Sequence, residues 1–177
     1  MWSSRELRWV SGLVTVLLVA ALLSGCNFRP LYGQNSATGG STFDELGTVQ
    51  IVPLTDRTGQ QLHNLLRNRL NPRGQPARPN FFLQVTLRES TRNLALRADE
   101  TATRADLSLI ADFTLRESGS DDIVLNGTSR SVNSYNILNS QYATQVSEQD
   151  ARERGLREVA EEIRAQVAIF LTRKASG

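Results

Sequence analysis

From Arg104 to Glu117 the odd positions Ala105, Leu107, Leu109, Ala111, Phe113 and Leu115 are all apolar. The even positions Arg104, Asp106, Ser108, Asp112, Thr114 and Arg116 are polar, with Ile110 the exception. A period of two sustained over that length predicts a strand with one face on a core and the other in a polar medium. Phe81 to Glu89 repeats the pattern, setting Phe81, Leu83, Val85 and Leu87 against Gln84, Thr86 and Arg88. A shorter strand is predicted at Thr48 to Leu54, where Val49 and Ile51 alternate with polar neighbours ahead of the turn-like TDRTG. Beyond the turn SGSDD, Ile123 to Tyr135 reads as a further strand, less regular and suited to a sheet edge.

Two stretches carry the helical period instead. Gln60 to Leu70 places Leu62, Leu65, Leu66 and Leu70 on one face, and Asn71-Pro72 ends it. Ser140 to Arg173 spaces Leu156, Val159, Ala160, Ile163, Val167, Phe170 and Leu171 at steps of three and four, a long amphipathic helix. Its outer face offers Asp150–Arg154 and Glu153–Arg157 as i,i+4 pairs, worth a few tenths of a kcal/mol each. The order strand, helix, strand, strand, strand, helix predicts an α+β fold. Its sheet is small and mixed, mostly antiparallel, of about four strands, with two α-helices packed on one face. The opposite face, carrying Arg88, Arg104, Asp106, Asp112 and Arg116, is left uncovered. Residues 73–80 (RGQPARPN) form a proline-rich loop, and 35–47 a Gly-, Ser- and Thr-rich spacer.

The N-terminus follows a different rule. Arg5 and Arg8 precede an apolar run from Val10 to Leu23, which Ser24 and Gly25 close. A basic start, a short apolar stretch and small residues at its end describe a secretory signal peptide. As a helix the run reaches about 21 Å, short of the ~30 Å hydrocarbon core, so a retained span is the weaker reading. The chain's one cysteine, Cys26, comes next and cannot form an internal disulfide. Leu23-Ser24-Gly25-Cys26 resembles a bacterial lipobox, in which the cysteine is acylated and becomes the first mature residue. The expected division is residues 1–25 as a cleaved signal, 26–47 as a lipidated N-terminus and linker, and 48–177 as one domain. A diacylglycerol and an N-acyl chain on Cys26 would anchor it permanently to a membrane. Asn27, in place of an aspartate, leans toward the outer membrane.

Charge and chemistry narrow the classes further. Removing residues 1–25 takes away Arg5, Arg8 and Glu6 from a chain with 20 basic and 18 acidic residues, so the remainder is nearly neutral. That balance speaks against nucleic acid as a partner. Lys174 is the one lysine, and nearly every positive charge is a guanidinium, the group suited to bidentate recognition of phosphate or carboxylate. His63 is the one histidine, at the border of the first helix's leucine stripe, so no zinc site can be assembled with it. No serine-hydrolase elbow or phosphate loop is present. Asp106 and Asp112 share a strand face but lie about 20 Å apart, too far for paired carboxylate catalysis. No enzymatic activity, metal or free cofactor is expected.

Three segments carry a resemblance to a family. They are Cys26-Asn-Phe-Arg-Pro-Leu-Tyr-Gly33, Asp56-Arg-Thr-Gly-Gln-Gln-Leu62, and a C-terminal block of Tyr135-Asn136, Tyr142-Ala143, Glu148-Gln-Asp150-Ala-Arg-Glu-Arg154 and Glu161-Glu-Ile-Arg164. In order and spacing these resemble the LptE lipoproteins of lipopolysaccharide assembly, in their alphaproteobacterial form. The resemblance implies a non-enzymatic, lipid-anchored protein on the periplasmic side of the outer membrane. Its implied partners are an LptD-like β-barrel, which it plugs and helps assemble, and lipopolysaccharide, whose final export step it assists. The segment RNLALRADETATR between the second and third strands gathers Arg92, Arg97 and Arg104 with Leu94 and Leu96, an expected lipopolysaccharide contact. The competing expectation is a lipid-carrying lipoprotein, such as an auxiliary component of an ABC-type transporter. A carrier needs an enclosed acyl-sized cavity; a plug needs a filled core and a large polar face.

Overall fold

The alternating segments join into one sheet and the helical segments pack together on one side of it. The computed structural model describes residues 45–96 and 102–176. In chain order the elements are β1 (Val49–Ile51), α1 (Arg57–Leu70), β2 (Phe81–Leu96), β3 (Ala102–Glu117), β4 (Ile123–Asn136) and α2 (Gln141–Ser176). The strands lie in the spatial order β1-β2-β3-β4. β1 runs parallel to β2, and the β2–β3 and β3–β4 pairs are antiparallel. The fold is the expected α+β arrangement of a four-stranded mixed sheet and two helices.

The core sits between the helices and the odd-numbered face of the sheet. Leu62, Leu66 and Leu70 of α1 meet Leu83 and Val85 of β2, Leu109, Phe113 and Leu115 of β3, and Leu156, Val159, Ile163 and Val167 of α2 in one buried cluster. At ~1.5 Å per residue α2 is about 54 Å long, and β3 at ~3.3 Å per residue is nearly the same. α2 packs on the sheet through its buried positions from Ala151 to Leu171, and α1 fills the remaining width beside β1.

Element ends depart from the sequence reading for local reasons. α1 begins at Arg57 rather than Gln60, because the Asp56 carboxylate caps it by accepting from the Gly59 N–H at 3.0 Å. At its other end buried Asn71 donates from Nδ2 to the Val49 carbonyl at 3.0 Å, fastening α1 to β1. β2 and β3 run further toward each other than the alternation indicates. Arg92 pairs with Asp106, Asn93 with Ala105 and Ala95 with Arg104, so most of the expected RNLALRADETATR loop is ladder. Backbone pairing continues there after the apolar alternation has stopped, with register shifts between Asn93 and Leu96 absorbing the mismatch.

Candidate functional site

The even-numbered residues of β2, β3 and β4 form the sheet face away from the helices, and the register sets them in rows. One row is Thr86, Asp112 and Thr128; the next is Arg88, Ile110 and Arg130; then Ser90, Ser108 and Val132; then Arg92, Asp106 and Ser134. Asp112 takes an Arg88 guanidinium at 2.5 Å and the Thr128 hydroxyl at 2.8 Å. Asp106 accepts from the Ser134 hydroxyl at 2.5 Å and faces Arg92 at 3.7 Å. Each aspartate thus ties β3 to both neighbours. The exposed Arg88–Asp112 pair contributes little stability, ~0–1 kcal/mol, while the Asp106 side chain is only 16% exposed between Ser134 and Arg92; together they make this face polar and nearly neutral.

Two departures from neutrality stand out. Arg130 lies across Ile110 from Arg88, giving a guanidinium–isoleucine–guanidinium row beside exposed Val132. Exposed Arg104 opens the same face at the start of β3. The structure therefore brings Arg92 and Arg104, two of the sequence candidates, onto one face at one end of the sheet, and adds Arg88 and Arg130. Arg97 and Cys26 lie outside the described residues. Arg130 was missed because β4 has no clean alternation of its own; only its register with β3 assigns its side. Chemically, guanidinium forks separated by branched apolar side chains can hold phosphate or carboxylate oxygens while touching hydrocarbon.

A second polar cluster lies on the helix side. Arg152 of α2 bridges Glu89 of β2 at 2.7 Å and Glu148 of its own helix at 2.5 Å. Hydrogen bonds to Glu89, reinforced by those to Glu148, hold the guanidinium above its ordinary value against the opposing effect of burial. Nearby Tyr135 is also raised, by burial first and by the Glu148 charge second. Arg57, Thr58 and Gln61 at the start of α1 face Gln145, Glu148, Gln149 and Arg152 across a polar cleft of about 360 Å³. The DRTGQQL and EQDARER segments, far apart in sequence, therefore meet at one cleft.

A larger cleft of about 810 Å³ lies at the opposite end, between Asn80, Phe81, the Ser118–Ser120 turn and Lys174. The Lys174 ammonium spans Glu117 at 2.6 Å and the Phe81 ring at 4.9 Å from its centroid. Between sheet and helices the space is taken by side chains: Leu62, Leu66, Leu83, Leu109, Phe113, Leu156 and Ile163 are fully buried. Among the described residues no cluster of three His, Cys, Asp or Glu side chains is placed to hold a metal ion. None of the described helices is both long and apolar enough to cross a membrane.

The model of the lipopolysaccharide-assembly family LptE matches residues 46–167. An uncharacterized protein of Rickettsia prowazekii is 24% identical over 159 residues, which span 90% of this chain and 97% of that one. The crystal structure of a candidate lipoprotein from Caulobacter crescentus superposes with a TM-score of 0.63 at 24% identity, covering 75% of this chain and 96% of that one. The solution structure of an uncharacterized lipoprotein B from Nitrosomonas europaea gives a TM-score of 0.55 at 16% identity, covering 70% and 83%. These two solved structures share the fold.

Proposed function

The chain belongs to the LptE family of lipopolysaccharide assembly, and from that premise we propose that it is an outer-membrane lipoprotein that plugs and helps assemble an LptD-like β-barrel. In this reading Cys26 is the acylated tether, and the domain faces the periplasm from the inner leaflet. The single observation that carries the proposal is the family match across residues 46–167. Two structural features support it. The core is filled rather than hollow, as a rigid plug requires and a lipid carrier does not. The uncovered sheet face is polar and of mixed charge, compatible with the polar, wet lumen of a large barrel.

Lipopolysaccharide contact belongs to the same reading. Arg92, Arg97 and Arg104 are its proposed guanidinium donors, and Arg88 and Arg130 extend the surface along the open face. Reversing charge at Arg97 and Arg104 is expected to weaken lipopolysaccharide binding by at least about tenfold, the equivalent of one charge-assisted contact at ~1.5–3 kcal/mol, with neighbouring arginines making up part of the second. Thermal stability should not fall. Unchanged binding by the folded double variant would remove these residues from the site.

The role itself is tested by detergent extraction of the tagged full-length chain from its native outer membrane. Co-purification of a very large β-barrel protein near equal stoichiometry is the expected result. Recovery with inner-membrane transporter subunits, or alone with bound phospholipid, would replace the plug with a carrier.

A further inference from the structure

Going beyond lipopolysaccharide contact and barrel plugging, we propose that the open edge of β2 binds an extended acidic segment of a partner protein by strand addition. β1 occupies only the first three positions of this edge, pairing Val49, Gln50 and Ile51 with Phe81, Phe82 and Leu83. The Val52 N–H then donates to the Leu83 carbonyl at 2.9 Å, after which the chain leaves for α1. From Val85 onward, β2 has β3 on one side and no strand on the other among the described residues.

The direction of the backbone groups follows from that last bond. Leu83 turns its carbonyl toward β1, and peptide direction alternates along a strand. Val85, Leu87, Glu89 and Thr91 therefore aim their N–H and C=O groups into the vacant lane. The register stays regular to Asn93, so the lane is about 30 Å long at ~3.3 Å per residue. Neither proline nor glycine interrupts β2, and a bulge comes only after Asn93, so the protection this edge does carry is the charge of Arg88, Glu89 and Arg92, which restricts what can add to it.

Side chains beside the lane define what fits. On the open face the edge strand presents Arg88 and Arg92, with side chains 64% and 80% exposed; Asp112 and Asp106 engage each through one nitrogen from the β3 side, and a guanidinium's five N–H groups leave donors for a strand on the other side. An added strand would place every second residue next to them, where opposite charge is favoured and like charge opposed. On the helix side it would pass half-buried Leu87 and Glu89, whose carboxylate is already taken by Arg152. The matching segment alternates acidic with small or apolar residues. A second copy of this chain fits poorly. Antiparallel self-pairing centred on Ser90 sets Arg88 against Arg92, centring on Glu89 opposes two Glu89 carboxylates, and no register centred on a residue from Leu87 to Thr91 sets Arg88 or Arg92 against an acid, so a second copy lacks the complementary charge an acidic segment brings. Among the described residues the edge of β4 also has no strand beside it, but Arg130 is the one charge on its open face, between Thr128 and Val132.

The test uses the full-length chain in detergent and a short peptide alternating valine and glutamate, with a valine–lysine peptide as control. Hydrogen exchange at the amides of Val85, Leu87, Glu89 and Thr91 is expected to slow when the glutamate peptide binds. The lysine peptide should bind about tenfold more weakly, the sum of two cross-strand charge pairs reversed. Thr91→Pro, which removes one lane-facing N–H, should weaken the glutamate peptide about tenfold, and Thr91→Ala should not. The exchange map and the lysine control decide the matter without any variant. Protection falling on β4 instead, equal binding of the two peptides, or no binding of either would overturn the proposal.

Discussion

At the residue scale, Gly59 shows how a motif letter becomes a physical requirement. It sits in the first turn of α1, where the chain doubles back beneath Leu54. A Cβ built there would lie 2.7 Å from the Leu54 Cβ and 2.4 Å from the Asp56 carboxylate that caps the helix. The Leu54 contact involves an atom one bond from the backbone, so a rotamer change cannot relieve it. Gly59→Ala is therefore expected to destabilise the domain by about 1–3 kcal/mol, despite alanine's better helix propensity. Chemical denaturation of the variant checks it; a gain in stability would mean that the turn relaxes freely. The glycine itself was legible in the DRTGQQL segment, but its reason was not, because the clash partner Leu54 is placed by the turn. Asn71 is a similar case. In the sequence it reads as a helix stop before Pro72, and in the structure its amide also reaches the carbonyls of Leu46, Gly47 and Val49. Asn71→Asp points a carboxylate at three carbonyl oxygens in a buried site. It should cost more than Asn71→Ala, whose penalty is about 1–3 kcal/mol for the carbonyls left unpaired.

At the scale of elements, β4 explains where sequence reading weakened. Its inward residues are Ser129 and Ser131, both buried, followed by Asn133, so the apolar alternation that identified β2 and β3 is missing. The polar flank of α2 supplies their partners. Ser129 donates to Glu162 at 2.6 Å, Ser131 to Glu158 at 2.5 Å, and Arg154 donates to the Asn133 side-chain oxygen at 3.3 Å. Gly155 lets the helix approach the sheet here, since a Cβ there would sit 2.8 Å from the Leu109 Cδ1 of β3 and 3.2 Å from the Ser131 hydroxyl of β4. The expected Asp150–Arg154 and Glu153–Arg157 pairs both form, but only the second lies on the outer side; Arg154 is turned to β4, where it also reaches Asn133 and the Ser134 carbonyl. α2 was readable from its leucine and valine spacing, β3 from its alternation, but not the hydroxyl–carboxylate seam between α2 and β4. That seam depends on which side of a sheet edge faces a helix flank, and it leaves no periodic signal. A double-mutant cycle of Ser131→Ala and Glu158→Ala should return a coupling of about 1 kcal/mol. Additive losses would show that water replaces the bond without cost.

At the scale of the whole molecule, the two sheet faces divide the work. The helix side contributes cohesion: α1, α2 and the sheet share one cluster rather than two, with Leu62 and Leu66, Leu83 and Phe113, and Leu156 and Ile163 all in it. The other face contributes much less to cohesion, through the exposed Arg88–Asp112 pair and the partly covered Asp106 between Ser134 and Arg92. A body built this way can tolerate charge changes on the open face while responding everywhere to a loss in the core. Ile163→Ala removes a fully buried side chain from the layer between the helices and the sheet, at an expected cost of about 2–5 kcal/mol. If the domain is one cooperative unit, amide protection in α1, β3 and α2 should fall together by the corresponding factor, read by native-state hydrogen exchange. Loss confined to α2 would mean that the long helix can lift from the sheet on its own. A domain that opens in that way could uncover an acyl-sized space, and the rigid-plug reading would lose its structural support.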